Sequence, residues 1–150
     1  PGAWNDPDYL LLGLKLPDEA AQAQFGLWCL MASPLFIGSD VRRLRPAQVA
    51  VLTNPEAIAI NRDPAGVQGR MIQKIDRTEV WAKPLADGAW AVGLLNRGET
   101  PQVVGVAWER LGLEGSRRIR DIWARADAGT AAGRWERTVG PRSLALAIIR

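Results

Sequence analysis

The sequence predicts two structural classes in series: a parallel α/β arrangement over residues 1–65 and an antiparallel β-sandwich or barrel over residues 66–150. Three observations carry this. The first half alternates short apolar runs with stretches of helical periodicity. At Ala65-Gly66 that texture ends and strand-length pieces begin. Between those pieces stand turn signals, among them Asp87-Gly88, Arg97-Gly98 and Gly140-Pro141.

In chain order, residues 1–12 form an extended entry. Lys15-Leu16-Pro17-Asp18-Glu19 then opens a helix, because proline suits a first turn and acids there complement the helix dipole. Ala21, Phe25, Trp28 and Ala32 fall on one stripe, and Leu27, Leu30 and Met31 make the neighbouring face apolar too. Such a helix is buried on more than one side. Pro34-Leu35-Phe36-Ile37-Gly38 is a short apolar run bounded by breakers, which suits a buried parallel strand, with a helix segment as the alternative that length alone does not exclude. Residues 46–52 read as a helix behind Pro46. Asn54 is a natural N-cap for a further helix that ends at Asn61-Arg62-Asp63-Pro64. In the second half the strand candidates are residues 71–76, 79–85, 89–96, 102–108, 117–123, 134–139 and 143–149. Five of the seven tryptophans lie here: Trp81, Trp90, Trp108, Trp123 and Trp135. Packing between sheets is the expected fate of tryptophan in a small β domain, and a ligand platform is the alternative.

The bulk numbers exclude several classes. At 150 residues, 47% hydrophobic and 23% charged, the chain is long enough for one sizeable core or two small ones. A net charge of +3, with Arg42, Arg43 and Arg45 in one cluster and Arg117, Arg118 and Arg120 in another, lacks the aromatic interleaving of a nucleic-acid surface. There is no histidine, the commonest metal ligand and neutral-pH base, so no metal or cofactor is expected. Cys29 is single and sits in an apolar run, which predicts a buried structural thiol. No span is long and apolar enough for a membrane, and no signal peptide is visible. The chain opens at Pro1 without a methionine, so a piece of a longer protein is expected.

The densest polar cluster is Trp4-Asn5-Asp6-Pro7-Asp8-Tyr9. Pro7 fixes its own φ and pushes Asp6 toward extended geometry. If the run is extended, Asp6 and Asp8 point to the same side. They then form the rim of a polar pocket, with Asn5 and the Trp4 indole as partners. The plainer reading is an Asx-turn.

These residues occur in order with others: Leu27-Trp28-Cys29-Leu30-Met31-Ala32-Ser33-Pro34-Leu35-Phe36-Ile37-Gly38, then Leu52 through Pro64, Gly66-Val67-Gln68-Gly69, and Glu79-Val80-Trp81. Together they resemble the C-terminal part of glycoside hydrolase family 27, the α-galactosidase or melibiase family. The resemblance covers nearly the whole chain and is most specific before residue 85.

It implies a (β/α)8 barrel followed by an antiparallel β-sandwich. Residues 1–65 would be the C-terminal fragment of the catalytic barrel and residues 66–150 the sandwich domain. On that map residues 1–10 end barrel strand seven, 17–32 are helix seven, and 34–37 are strand eight. The implied activity is retaining hydrolysis of terminal α-galactosides by an Asp nucleophile and an Asp acid/base, whose carboxyls stand roughly 5–5.5 Å apart. Asp6 and Asp8, two residues apart on an extended strand, would be roughly 6.6 Å apart. They are not that pair, because the motifs carrying the family's dyad have no counterpart in this chain. No catalytic residue is therefore expected here, and the chain alone is expected to be inactive. Asp8 and Tyr9 occupy positions that line the family's sugar pocket, although many members have methionine where Tyr9 stands. Asp6 and Asn5 would brace the loop, and Gly38-Ser39-Asp40 would border the site unless Asp40 caps the next helix. The implied partners are a carbohydrate substrate and the upstream rest of the barrel. The rival readings are a relative acting on α-N-acetylgalactosamine or β-L-arabinopyranose, and a carbohydrate-binding or structural module without catalysis.

Overall fold

A computed structural model of the chain describes residues 3–150, so Pro1 and Gly2 of the expected extended entry lie outside the described residues. Helix α1 spans Asp18–Leu30, α2 Pro46–Leu52 and α3 Pro55–Asn61, with 3-10 turns at Val41–Arg43 and, between two strands, at Trp108–Leu111. Eight strands follow: β1 Arg70–Ile75, β2 Thr78–Pro84, β3 Trp90–Asn96, β4 Gln102–Ala107, β5 Ser116–Asp121, β6 Ala126–Ala132, β7 Arg134–Val139 and β8 Ser143–Ile149. No helix among the described residues is long and apolar enough to cross a membrane.

The strands make an antiparallel six-stranded sheet in the order β1-β2-β3-β8-β5-β6, and β4 pairs with β7 in a second sheet. The large sheet is the middle of three layers. One face packs on α1 and α3, where Phe25, Cys29, Leu30 and Ile60 meet Ala91, Leu95, Leu144 and Leu146. The other packs on β4 and β7, where Val80, Val92, Leu94, Ala147 and Ile149 meet Val104, Val106, Trp108 and Trp135. Successive residues of a strand point to opposite faces, so β3 feeds Ala91 and Leu95 to one core and Val92 and Leu94 to the other. Each large aliphatic residue so buried contributes about 1.5–3 kcal/mol.

The close fit of α1 on the sheet depends on glycine at the contact. A Cβ on Gly93 would lie 2.7 Å from a Leu30 methyl, and one on Gly26 2.9 Å from the Trp123 ring. The tryptophans serve packing. Trp108 and Trp135 are buried, and Trp81, Trp90 and Trp123 are partly buried against the cores.

The expected strand at 34–37 is reduced to one residue. Leu10 and Ile37 form an isolated parallel bridge, with the Leu10 N–H donating to the Phe36 carbonyl at 2.7 Å and the Gly38 N–H to the Leu10 carbonyl at 3.0 Å. A strand is registered only where neighbours exchange ladder bonds. Leu10 and Ile37 have only each other among the described residues.

Candidate functional site

The segment before Leu10 is not a regular strand. Asp8 has φ 76°, in the left-handed region. Aspartate tolerates that region better than most residues, but it still costs on the order of 1–3 kcal/mol and persists only where neighbours enforce it. The expectation that Asp6 and Asp8 share one side of an extended strand therefore fails. Instead the Asp6 carboxylate accepts the Asp8 N–H at 3.2 Å, an Asx-type turn, and the Asp8 carboxylate accepts the Tyr9 N–H at 2.8 Å.

Two side chains one turn apart on α1 hold this segment. The Trp28 indole N–H donates to the Asp8 carbonyl at 3.1 Å. The Gln24 amide donates to the Tyr9 carbonyl at 3.3 Å and accepts the Leu11 N–H at 2.8 Å. Residues four apart stack on one helix face, so the grip follows from helix geometry. From the other side the Asn5 amide donates to Gln68 at 2.7 Å, and Gln68 donates to the Ala3 carbonyl at 3.1 Å. The stretches singled out in the sequence are thus bonded to one another. Asn61 donates to the Trp28 and Ser33 carbonyls, and the Gly69 N–H to the Leu30 carbonyl.

Asp6, Asp8, Tyr9 and Phe36 line an open recess of about 440 Å³. Tyr9 and Phe36 are 57% and 56% exposed, unusual for large aromatics held by ordered backbone. Their rings meet edge to face, with centroids 6.5 Å apart and planes at 72°. Neither Asp6 nor Asp8 forms a salt bridge among the described residues. Two carboxylates beside two aromatic rings suit a ligand with hydroxyl donors and a C–H face. Phe36 was not singled out by sequence reasoning; it read as the centre of a buried strand, and its exposure depends on which strands flank it.

Asp40 takes the capping role. It accepts the Arg42 N–H at 3.1 Å and pairs with the Arg42 guanidinium at 2.9 Å, which holds its carboxyl below the usual range. It is not among the residues lining the recess. Ser39 directs a buried hydroxyl with no hydrogen-bond partner among the described residues. Cys29 is buried, and burial pushes its thiol up to about 12, so it stays a neutral packing group. Among the described residues no group of three or more His, Cys, Asp or Glu could hold a metal ion.

Comparison with known proteins bears directly on this arrangement. Residues 75–149, half the chain, match the family described as "Alpha galactosidase C-terminal beta sandwich domain", and residues 1–63 match "Alpha galactosidase A". The chain belongs to glycoside hydrolase family 27, the α-galactosidase (melibiase) family.

Among family 27 relatives, an α-galactosidase of Oryza sativa subsp. japonica is 38% identical over 99% of this chain and 36% of its own length. An α-N-acetylgalactosaminidase of Rattus norvegicus is 43% identical over 65% of this chain and 24% of its own length. The crystal structure of a β-L-arabinopyranosidase of the family, from Geobacillus stearothermophilus, superposes with a TM-score of 0.93 at 25% identity, over 99% of this chain and 37% of that one. The chain spans about a third of the length of the curated relatives it matches. The α/β portion followed by an antiparallel β-sandwich is the family 27 architecture, as the sequence implied.

Proposed function

We propose that this chain is part of a retaining α-galactosidase that hydrolyses terminal α-galactosides, and that Asp8 and Tyr9 line its sugar pocket. The nucleophile and the acid/base, both aspartates, belong to barrel strands that precede this sequence in the parent protein. Residues 1–65 complete that barrel and residues 66–150 are the sandwich domain attached to it. The observation that carries this reading is the recess itself: an Asp8 carboxylate without a cationic partner among the described residues, beside two exposed aromatic rings.

An ionised carboxylate accepts strong hydrogen bonds from ring hydroxyls. Losing one charged hydrogen bond costs about 2–3 kcal/mol, and ~1.4 kcal/mol is tenfold in rate. Asp8→Ala in the complete enzyme should therefore lower kcat/KM on a nitrophenyl α-galactoside roughly a hundredfold. Asp6 supports the Asp8 N–H, so Asp6→Ala should lower the unfolding temperature more than it changes specificity. Unchanged kcat/KM in Asp8→Ala removes Asp8 from the pocket. An inactive but fully stable Asp6→Ala exchanges the two roles.

The related sugars are separated by the same assay. Preference for an α-N-acetylgalactosaminide or a β-L-arabinopyranoside would place the parent with those relatives. Binding of galactose by the complete protein without turnover would leave a non-catalytic module.

A further inference from the structure

We infer that the segment Phe36–Gly38 positions Tyr9 against the sugar, which makes Phe36 and Gly38 positioning residues for the pocket. The inference rests on the pocket reading above. Two independent contacts point the same way. The Phe36 ring stands edge to face with Tyr9 at 6.5 Å, inside the range where aromatic pairs attract beyond their buried area. At the base of the Tyr9 side chain, a Cβ at Gly38 would lie 3.1 Å from the Tyr9 Cβ and 3.6 Å from its Cγ. The backbone between them is fixed by the Leu10–Ile37 bridge. Tyr9 thus meets the Phe36 ring at its own ring and the bare Gly38 backbone at its Cβ, where a side chain would press on it.

A phenol held in that slot presents one ring face and one hydroxyl to the recess. The ring face suits the C–H face of a pyranose, and the hydroxyl suits a ring oxygen or hydroxyl. Neither Phe36 nor Gly38 has a group that could take part in bond breaking, so both are positioning residues.

Tyr9 is the single tyrosine of residues 1–150, and in the complete enzyme with labelled tyrosine rings the resonance lost on Tyr9→Ala assigns it. Phe36→Leu should move the Tyr9 ring resonances by removing the neighbouring ring current. In the complete enzyme it should raise KM for a nitrophenyl α-galactoside about three- to tenfold while kcat stays within twofold. Phe36→Tyr should restore the wild-type KM, and Gly38→Ala should reproduce the rise. In a Tyr9→Ala background Phe36→Leu should have no further effect on KM. A general packing role for Phe36 would lower the unfolding temperature and kcat in both backgrounds, and that result overturns the inference. So does an unchanged KM in both Phe36→Leu and Gly38→Ala when Tyr9→Ala raises it. If Tyr9→Ala itself leaves KM unchanged, the pocket reading fails first.

Discussion

Trp28 donates its indole N–H to the carbonyl of Asp8, 20 residues earlier in the chain and 3.1 Å away. The bond ties the last turn of α1 to the residue whose left-handed backbone shapes the rim of the recess. Trp28→Phe keeps most of the packing and removes the donor. The expected loss is about 1 kcal/mol of stability, the usual net worth of one such bond. KM should also rise in the complete enzyme. Thermal unfolding and steady-state kinetics check this, and a variant unchanged in both would show that Gln24 holds the segment alone.

Asn54 is the junction between α3 and the sandwich. Its side-chain oxygen accepts the N–H groups of Glu56 and Ala57, and its side-chain amide donates to the Ile122 carbonyl at 2.9 Å. Asn54→Ala loses the cap and leaves a buried carbonyl unpaired, costing on the order of 2–4 kcal/mol. Asn54→Asp keeps the cap but not the donor, so it should fall between the two. Denaturant unfolding of the three proteins would rank them, and equal stability of Asn54→Asp and wild type would make the Ile122 bond irrelevant.

Glu79 sets an acid limit on stability. It is buried, which alone would raise its pKa, but hydrogen bonds from Arg97 at 2.8 Å and Trp81 at 2.9 Å hold it below the ordinary 4.5. A carboxyl whose pKa is depressed on folding stabilises the fold above its unfolded value and loses that contribution as pH falls through the folded one. Glu79→Gln should therefore be less stable than wild type at neutral pH. The gap should close as pH drops below about 4.5. Urea midpoints measured from pH 7 to pH 3 test this; a gap constant with pH would mean that the charge contributes nothing.

Residues 66–150 expressed alone should fold around the core between the two sheets. The opposite face of the large sheet would then lose α1 and α3, baring Leu95, Leu144 and Leu146. Exposed apolar surface of that size binds hydrophobic dyes and associates. The expected product is folded by circular dichroism, less stable than the whole chain, and bright with such a dye. A monomer with no dye binding would show that the helices add little to the sandwich.

Much of the fold was legible because local and long-range signals agree. Pro17-Asp18-Glu19 opens α1, Asn54 caps α3, and the strands at 134–139 and 143–149 lie at the bounds expected between their turn signals. Strand β6 was missed. Its sequence, Ala-Asp-Ala-Gly-Thr-Ala-Ala, holds no apolar side chain larger than alanine, and it is an edge strand that pairs only with β5. Backbone pairing alone makes it a strand, and that leaves no mark in side-chain pattern. The pocket segment was found by its composition, yet its shape was not. Pro7 argued for extension, whereas the conformation of Asp8 is imposed by Asp6, Gln24 and Trp28. Nothing in an ordinary glutamine announces that it will grip a chain 13 residues away.

Strand β3 has no polar face, because both its sides are covered. Alternation of polar and apolar residues, the usual guard of strand register, is therefore unavailable to it. Bulk takes over that task. The side beneath α1 carries Ala91, Gly93 and Leu95, and the side toward β4 and β7 carries Val92 and Leu94. Sliding β3 by one residue would bring valine and leucine under the helix, where even one added carbon at Gly93 would lie 2.7 Å from Leu30. The opposite side would receive glycine at one of the two places now filled by Val92 and Leu94 against Val104 and Trp108. A misregistered sheet would thus be too thick on one side and hollow on the other, so side-chain volume alone gives this uniformly oily strand a single permitted alignment.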